Sequence, residues 1–285
     1  MSNSPKENNY NEINELSLNF KYIIKENGKS NIPIFNEYFV KNNKDNCYLI
    51  INNDECELRS KYDFREKGEH KITLKIYNHQ IIDFRSMFNG ISNIINISGF
   101  SDFNYNVGED ISYMFYSCNN IESFKPLKNL DVSNCKNFEG VFSGCNFSNL
   151  DYLSKWDMAK AINLENMFYN CNKLNNINGI KDWKVQNVEN FKFMFYGCQN
   201  LTNVNSIKNW DMSKAKSIYG MFQNCQNLYN MDSLFRWNLN NIVDKTDIIK
   251  GCCKLVNIPS IFEKTPNEKD DDLMYRFDDF AEDFI

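Results

Sequence analysis

The chain has 285 residues, a net charge of −5, and 42% hydrophobic and 15% aromatic residues. This balance lacks the basic excess of a nucleic-acid-binding surface, and no run approaches the roughly 18 apolar residues of a membrane-spanning helix. Much of the charge is local. Glu268, Asp270, Asp271, Asp272, Asp278, Asp279, Glu282 and Asp283, against Lys269 and Arg276, give residues 268–285 a charge of −6 and leave the rest near neutral.

Residues 1–16 read as a flexible polar leader, because Met1 to Glu12 lacks the apolar core of a signal peptide. The expectation is a cytoplasmic protein, with the cell surface as the alternative. Sequons at Asn96, Asn146 and Asn200 matter only after secretion. Residues 17–77 carry the texture of strands. Phe20–Ile24, Cys47–Ile51 and Ile72–Ile76 are rich in β-branched and aromatic residues, and Asn52-Asn53-Asp54 is turn chemistry leading back through Glu55–Leu58. This segment is expected to be a β-rich N-terminal cap, since stacked repeats expose a core at their ends.

Residues 78–262 repeat. A Met-Phe pair followed three residues later by Cys recurs at Met114-Phe115, Met167-Phe168, Met194-Phe195 and Met221-Phe222, with weaker copies at Met87, Val141 and Ile248. The period is 27 residues, with one interval of 26, and such a period indicates a solenoid. Within a unit, Phe191, Met194, Phe195 and Cys198 fall at i, i+3, i+4 and i+7, the apolar face of an amphipathic helix. Leu201, Val204, Ile207 and Trp210 then follow at spacing three, which suits a coil with one short strand. The expected class is α/β: a leucine-rich-repeat-like solenoid of about seven 27-residue strand–helix repeats. Trp156, Trp183, Trp210 and Trp237 form one column, expected to pack in the core or at its edge. Asn96, Asn149, Asn176, Asn203, Asn230 and Asn257 form another, with Ser123 once, expected to bond along the stack and to turn carbonyls. Six of the ten cysteines share one repeat position and are expected to be free, buried thiols.

The order Met194-Phe195-Tyr196-Gly197-Cys198, then Leu201 and Val204, then Trp210-Asp211, resembles the bacterial surface protein repeat of the BspA-like leucine-rich repeats, also expanded in single-celled eukaryotes. The resemblance covers about residues 81–261. It implies a leucine-rich-repeat fold and a surface, adhesion or binding role, although the expected secretion signal and anchor are not seen.

No catalytic constellation stands out. The two histidines, His70 and His79, lack metal-ligand spacing, and Cys252-Cys253 is adjacent rather than spaced as in a zinc or redox motif. No enzyme activity, cofactor or metal is expected. The expected function is non-enzymatic: a protein-binding or assembly-scaffold module, with a surface or secreted adhesion protein as the alternative. The variable residues around each expected strand are the candidate contacts for a protein partner: Glu122 and Lys125, Asn175 and Asn178, Thr202 and Asn205, Tyr229 and Asp232. In residues 263–285, Leu273, Phe277, Phe280 and Phe284 fall on one helical face. Two readings stand: a cap on the last repeat, or an acidic, aromatic motif presenting Phe277 and Phe280 to a partner. The oligomeric state is left open.

Overall fold

The computed structural model describes residues 16–77, 82–103, 105–256 and 258–262. The expected leader, His79, Asn257 and the apolar positions from Leu273 to Phe284 lie outside the described residues.

The first part is built of antiparallel strands. These are β1 (Leu16–Ile24), β2 (Lys29–Pro33), β3 (Cys47–Ile51), β4 (Asp54–Glu57), β5 (Lys61–Phe64) and β6 (Gly68–Ile76), with one helix, α1 (Glu37–Asn43). A seventh strand, β7 (Ile94–Asn96), comes from the first repeat and completes a sheet of order β4-β3-β6-β1-β7. Alternate residues are buried: Leu18, Phe20, Tyr22 and Ile24 on β1, and Ile72, Leu74 and Ile76 on β6. Asn52 and Asn53 take positive φ of 54° and 70° in the β3–β4 turn, a conformation that asparagine tolerates. Gly99 brings the first repeat onto β1. A Cβ there would lie 2.2 Å from the Asn19 backbone nitrogen, so the close approach requires glycine.

The repeats correct the expected fold class. They are not strand–helix units of a leucine-rich-repeat-like solenoid. Among the described residues α1 is the one α-helix, and it lies in the N-terminal part. The regular strands are mostly antiparallel, and the repeats contribute turns, short 3-10 segments and isolated parallel bridges such as Asn163↔Asn190 and Asn203↔Asn230. The physical reason lies in the backbone. In an α-helix every N–H donates four residues back. Here Met194, Tyr196 and Cys198 donate three residues back, to Phe191, Phe193 and Phe195. The intervening N–H groups of Phe191, Phe193, Phe195 and Gly197 donate instead to Ser217, Tyr219, Met221 and Gln223 of the next unit. Left-handed residues enforce this alternation. Phe193 and Gly197 have φ of 52° and 67°, and the equivalent pair is left-handed in all seven units, from Ser86 and Gly90 to Asp247 and Gly251. An L-residue α-helix does not survive such a residue every fourth position.

The inward positions nonetheless build one continuous core. Phe191, Met194, Phe195 and Cys198 are fully buried, as are Leu201, Val204 and Ile207. The spacing of three comes from successive turns in which Leu201, Ile207 and Trp210 each donate to the residue three before. Phe88, Phe115, Phe142, Phe168, Phe195 and Phe222 form a stacked column with centroids 5.6–5.9 Å apart. The tryptophans line the core, and each indole Nε1 donates to a carbonyl of the preceding unit, as Trp210 does to Ile180 at 3.1 Å. The shared cysteines are free thiols; five are buried and Cys252 is half-buried. Each donates to a phenylalanine carbonyl one unit back, as Cys198 does to Phe168 at 3.2 Å.

The asparagine column behaves differently from the expectation. Asn149, Asn176, Asn203 and Asn230 accept, through Oδ1, the backbone N–H two residues on in their own turn. Bonding along the stack belongs to another column, where Asn137 donates to Asp110, Asn163 to Asn137 and Asn190 to Glu165.

Candidate functional site

The candidate surface is carried by two columns of side chains set by backbone bonds. In the first, the N–H of Glu122 donates to Ile95 O at 3.0 Å, that of Asn175 to Ser148 O at 3.1 Å, and that of Tyr229 to Thr202 O at 3.0 Å. Val256 extends the column, donating to Tyr229 O at 3.3 Å. In the second, Lys125, Asn178, Asn205 and Asp232 each begin a 3-10 turn. Their N–H groups are held by the side-chain oxygens of Ser123, Asn176, Asn203 and Asn230. Seven of these eight candidates are exposed, and Thr202 is half-buried. Tyr229 is 49% exposed and is the large aromatic of the strip. Phe277 and Phe280 lie outside the described residues.

Two strip residues were missed by sequence reasoning. Ser148 and Asp151 fill the same places in the 26-residue unit, and Asp151 begins its 3-10 turn like the others. Their signal was the run Phe147, Leu150 and Leu153, which marks the inward positions between them. Asp151, Ser154, Asn178, Gly179 and Lys181 border an open depression of about 570 Å³. Gly179 permits it: a Cβ there would lie 2.1 Å from Leu150 O, so only glycine lets these two turns touch.

A second surface was also missed. Tyr113, Tyr116, Tyr169, Phe193, Tyr196 and Tyr219 are half-buried. Tyr169 and Tyr196 stack at 4.6 Å, and Phe193 meets Tyr219 edge-on at 4.9 Å. The Tyr113 hydroxyl donates to Glu139, whose carboxylate also accepts from Asn163 at 3.2 Å. Burial, followed by the neighbouring Glu165, pushes the Glu139 pKa up, and burial with the Glu139 contact pushes Tyr113 up. The signal was the tyrosine after Met-Phe in three units.

The buried thiols are unsuited to nucleophilic work. Burial pushes Cys47 up to about 12 and Cys252 up to about 11, and pushes Cys145, Cys171, Cys198 and Cys225 well above the ordinary thiol range. Among the described residues no group of three or more His, Cys, Asp or Glu is placed to hold a metal ion. His70 Nε2 lies 2.8 Å from Glu66 O. No helix of the described residues is long and apolar enough to cross a membrane.

These features define a repeat protein whose turn-built units stack in register and present columns of surface side chains. The chain belongs to the family described as "Mycoplasma protein of unknown function, DUF285", whose model matches residues 60–177 and again 140–262. Repetition accounts for the double match, since a model spanning several units fits at two registers. No curated protein and no solved structure matched the chain.

Proposed function

We propose that this chain is a non-enzymatic protein-binding or assembly-scaffold module that works in the cytoplasm and engages its partner along the strip from Glu122 to Asp232. The observation that supports this reading is the strip itself. Polar side chains stand at fixed intervals on a hydrogen-bonded backbone, with one exposed tyrosine near the end. A rigid backbone limits the entropy lost when such groups are engaged. Tyrosine is enriched among residues that dominate interface energetics. Binding spread over units fits a standard interface of about 800 Å² per partner.

Affinity capture with mass spectrometry identifies the partner, and an alanine scan then tests the strip. Asn178→Ala and Asn205→Ala are each expected to weaken binding by less than about 1 kcal/mol, and Tyr229→Ala by about 2 kcal/mol or more. Unchanged affinity in all three variants would sink the strip as the recognition surface. Locating a tagged copy tests the compartment; a cell-surface position with glycans at Asn96, Asn146 or Asn200 would favour the adhesion alternative.

A further inference from the structure

The stack of repeats is polar, and its two ends differ. In every unit from Ser86 to Asn224, alternate N–H groups donate to the next unit, as Ile218, Gly220, Phe222 and Asn224 do to Asp244, Thr246, Ile248 and Lys250. At the first end the chain covers itself. Asn36 N–H donates to Met87 O at 3.0 Å, and Phe20 and Phe35 pack on Phe88 at 5.0 and 5.5 Å. At the other end the equivalent N–H groups of Lys245, Asp247, Ile249 and Gly251 meet no acceptor among the described residues. The same end carries exposed apolar side chains: Val243 at 89%, Val256 at 78% and Phe235 at 63%. At the place of Val243, four of the five units from Glu109 to Lys216 have a charged residue.

We propose that residues 263–285 of this chain dock on this open end, their carbonyl and carboxylate oxygens accepting from the four N–H groups and their phenylalanines covering Val243 and Val256. Three observations select this occupant. The described chain ends at the site, with Phe262 edge-on to Trp237 at 6.3 Å and Lys245 Nζ donating to Ile261 O. The segment that follows has the matching chemistry, with Phe277, Phe280 and Phe284 among eight acidic residues. Tethering also gives it an effective concentration on the order of millimolar. A second copy is disfavoured on hydrogen-bond grounds. In an end-to-end pair of identical copies these four N–H groups find no acceptor in the same four positions of the other copy, and the opposite end of the stack is already covered. The proposal is separate from the strip reading and does not depend on it.

Amide hydrogen exchange on the intact chain tests it. The amides of Ile249 and Gly251 are expected to be protected, and to exchange at least about tenfold faster in the double variant Phe277→Asp, Phe280→Asp. The amides of Phe195 and Gly197 serve as the folding control, and Phe277→Leu with Phe280→Leu is expected to keep the protection. Unprotected Ile249 and Gly251 in the unaltered chain would overturn the proposal. So would protection that survives the aspartate variant, or protection that grows with protein concentration, which would indicate a second copy.

Discussion

Cys198 shows how one residue serves the stack. Its thiol fills a small apolar space and donates to Phe168 O, a carbonyl that the preceding unit already uses for Cys171 N–H. Native thiol titration without reductant is expected to label Cys253 first, since it is the exposed cysteine among the described residues, and all ten cysteines only after denaturation. Finding several native disulfides would defeat this reading. The buried thiols also set a pH dependence. Their folded pKa is raised above the ordinary 9.0, so the folded state keeps protons that the unfolded state releases. The stabilisation is therefore complete below pH 9 and is lost as pH rises above it. Each such thiol contributes a slope of up to about 1.4 kcal/mol per pH unit in that range. Urea midpoints at several pH values should fall on the alkaline side, and Cys171→Ala with Cys198→Ala should flatten the fall.

At the scale of the repeat element, two positions separate packing from surface. Phe195 is fully buried and stacked between Phe168 and Phe222, so Phe195→Ala should cost about 3–5 kcal/mol. Thr202 is half-buried on the strip, and Thr202→Ala should stay within about 0.5 kcal/mol. Equal shifts in melting temperature would refute the inward and outward assignment. Gly179→Ala probes the contact between units: its Cβ would meet the backbone at Leu150, where little can yield. A cost of about 1–3 kcal/mol is expected by thermal denaturation, and a neutral result would mean the turns are less closely stacked.

At the scale of the whole molecule, the turn-built units give a direct spectroscopic expectation. Far-ultraviolet circular dichroism should show little helical signal, because α1 is seven residues long and no described repeat contains an α-helix. A spectrum with roughly one-third helix, as strand–helix repeats would give, would overturn the described architecture. Each unit bonds mainly to its neighbours, so damage should spread by nearest-neighbour coupling. In Phe195→Ala, exchange should accelerate most in the units around Met167 and Met221 and least in β6.

The sequence alone determined which side chains face inward. Phe191, Met194, Phe195, Cys198, Leu201, Val204, Ile207 and Trp210 were legible from spacing, because burial of apolar groups imposes a period whatever the backbone does. Strip residues such as Asn178 and Tyr229 were legible as the gaps between those positions. Secondary structure was not, since i, i+3, i+4 and i+7 place four residues on one face of a helix and equally on one side of linked turns. Tertiary structure decided between them. The N–H groups of Phe191, Phe193, Phe195 and Gly197 find acceptors 26 residues away, and left-handed φ at Phe193 and Gly197 aims them there. A local pattern carries no record of a partner in the next unit, so the helix it suggested gave way to a ladder that exists only when the units stack.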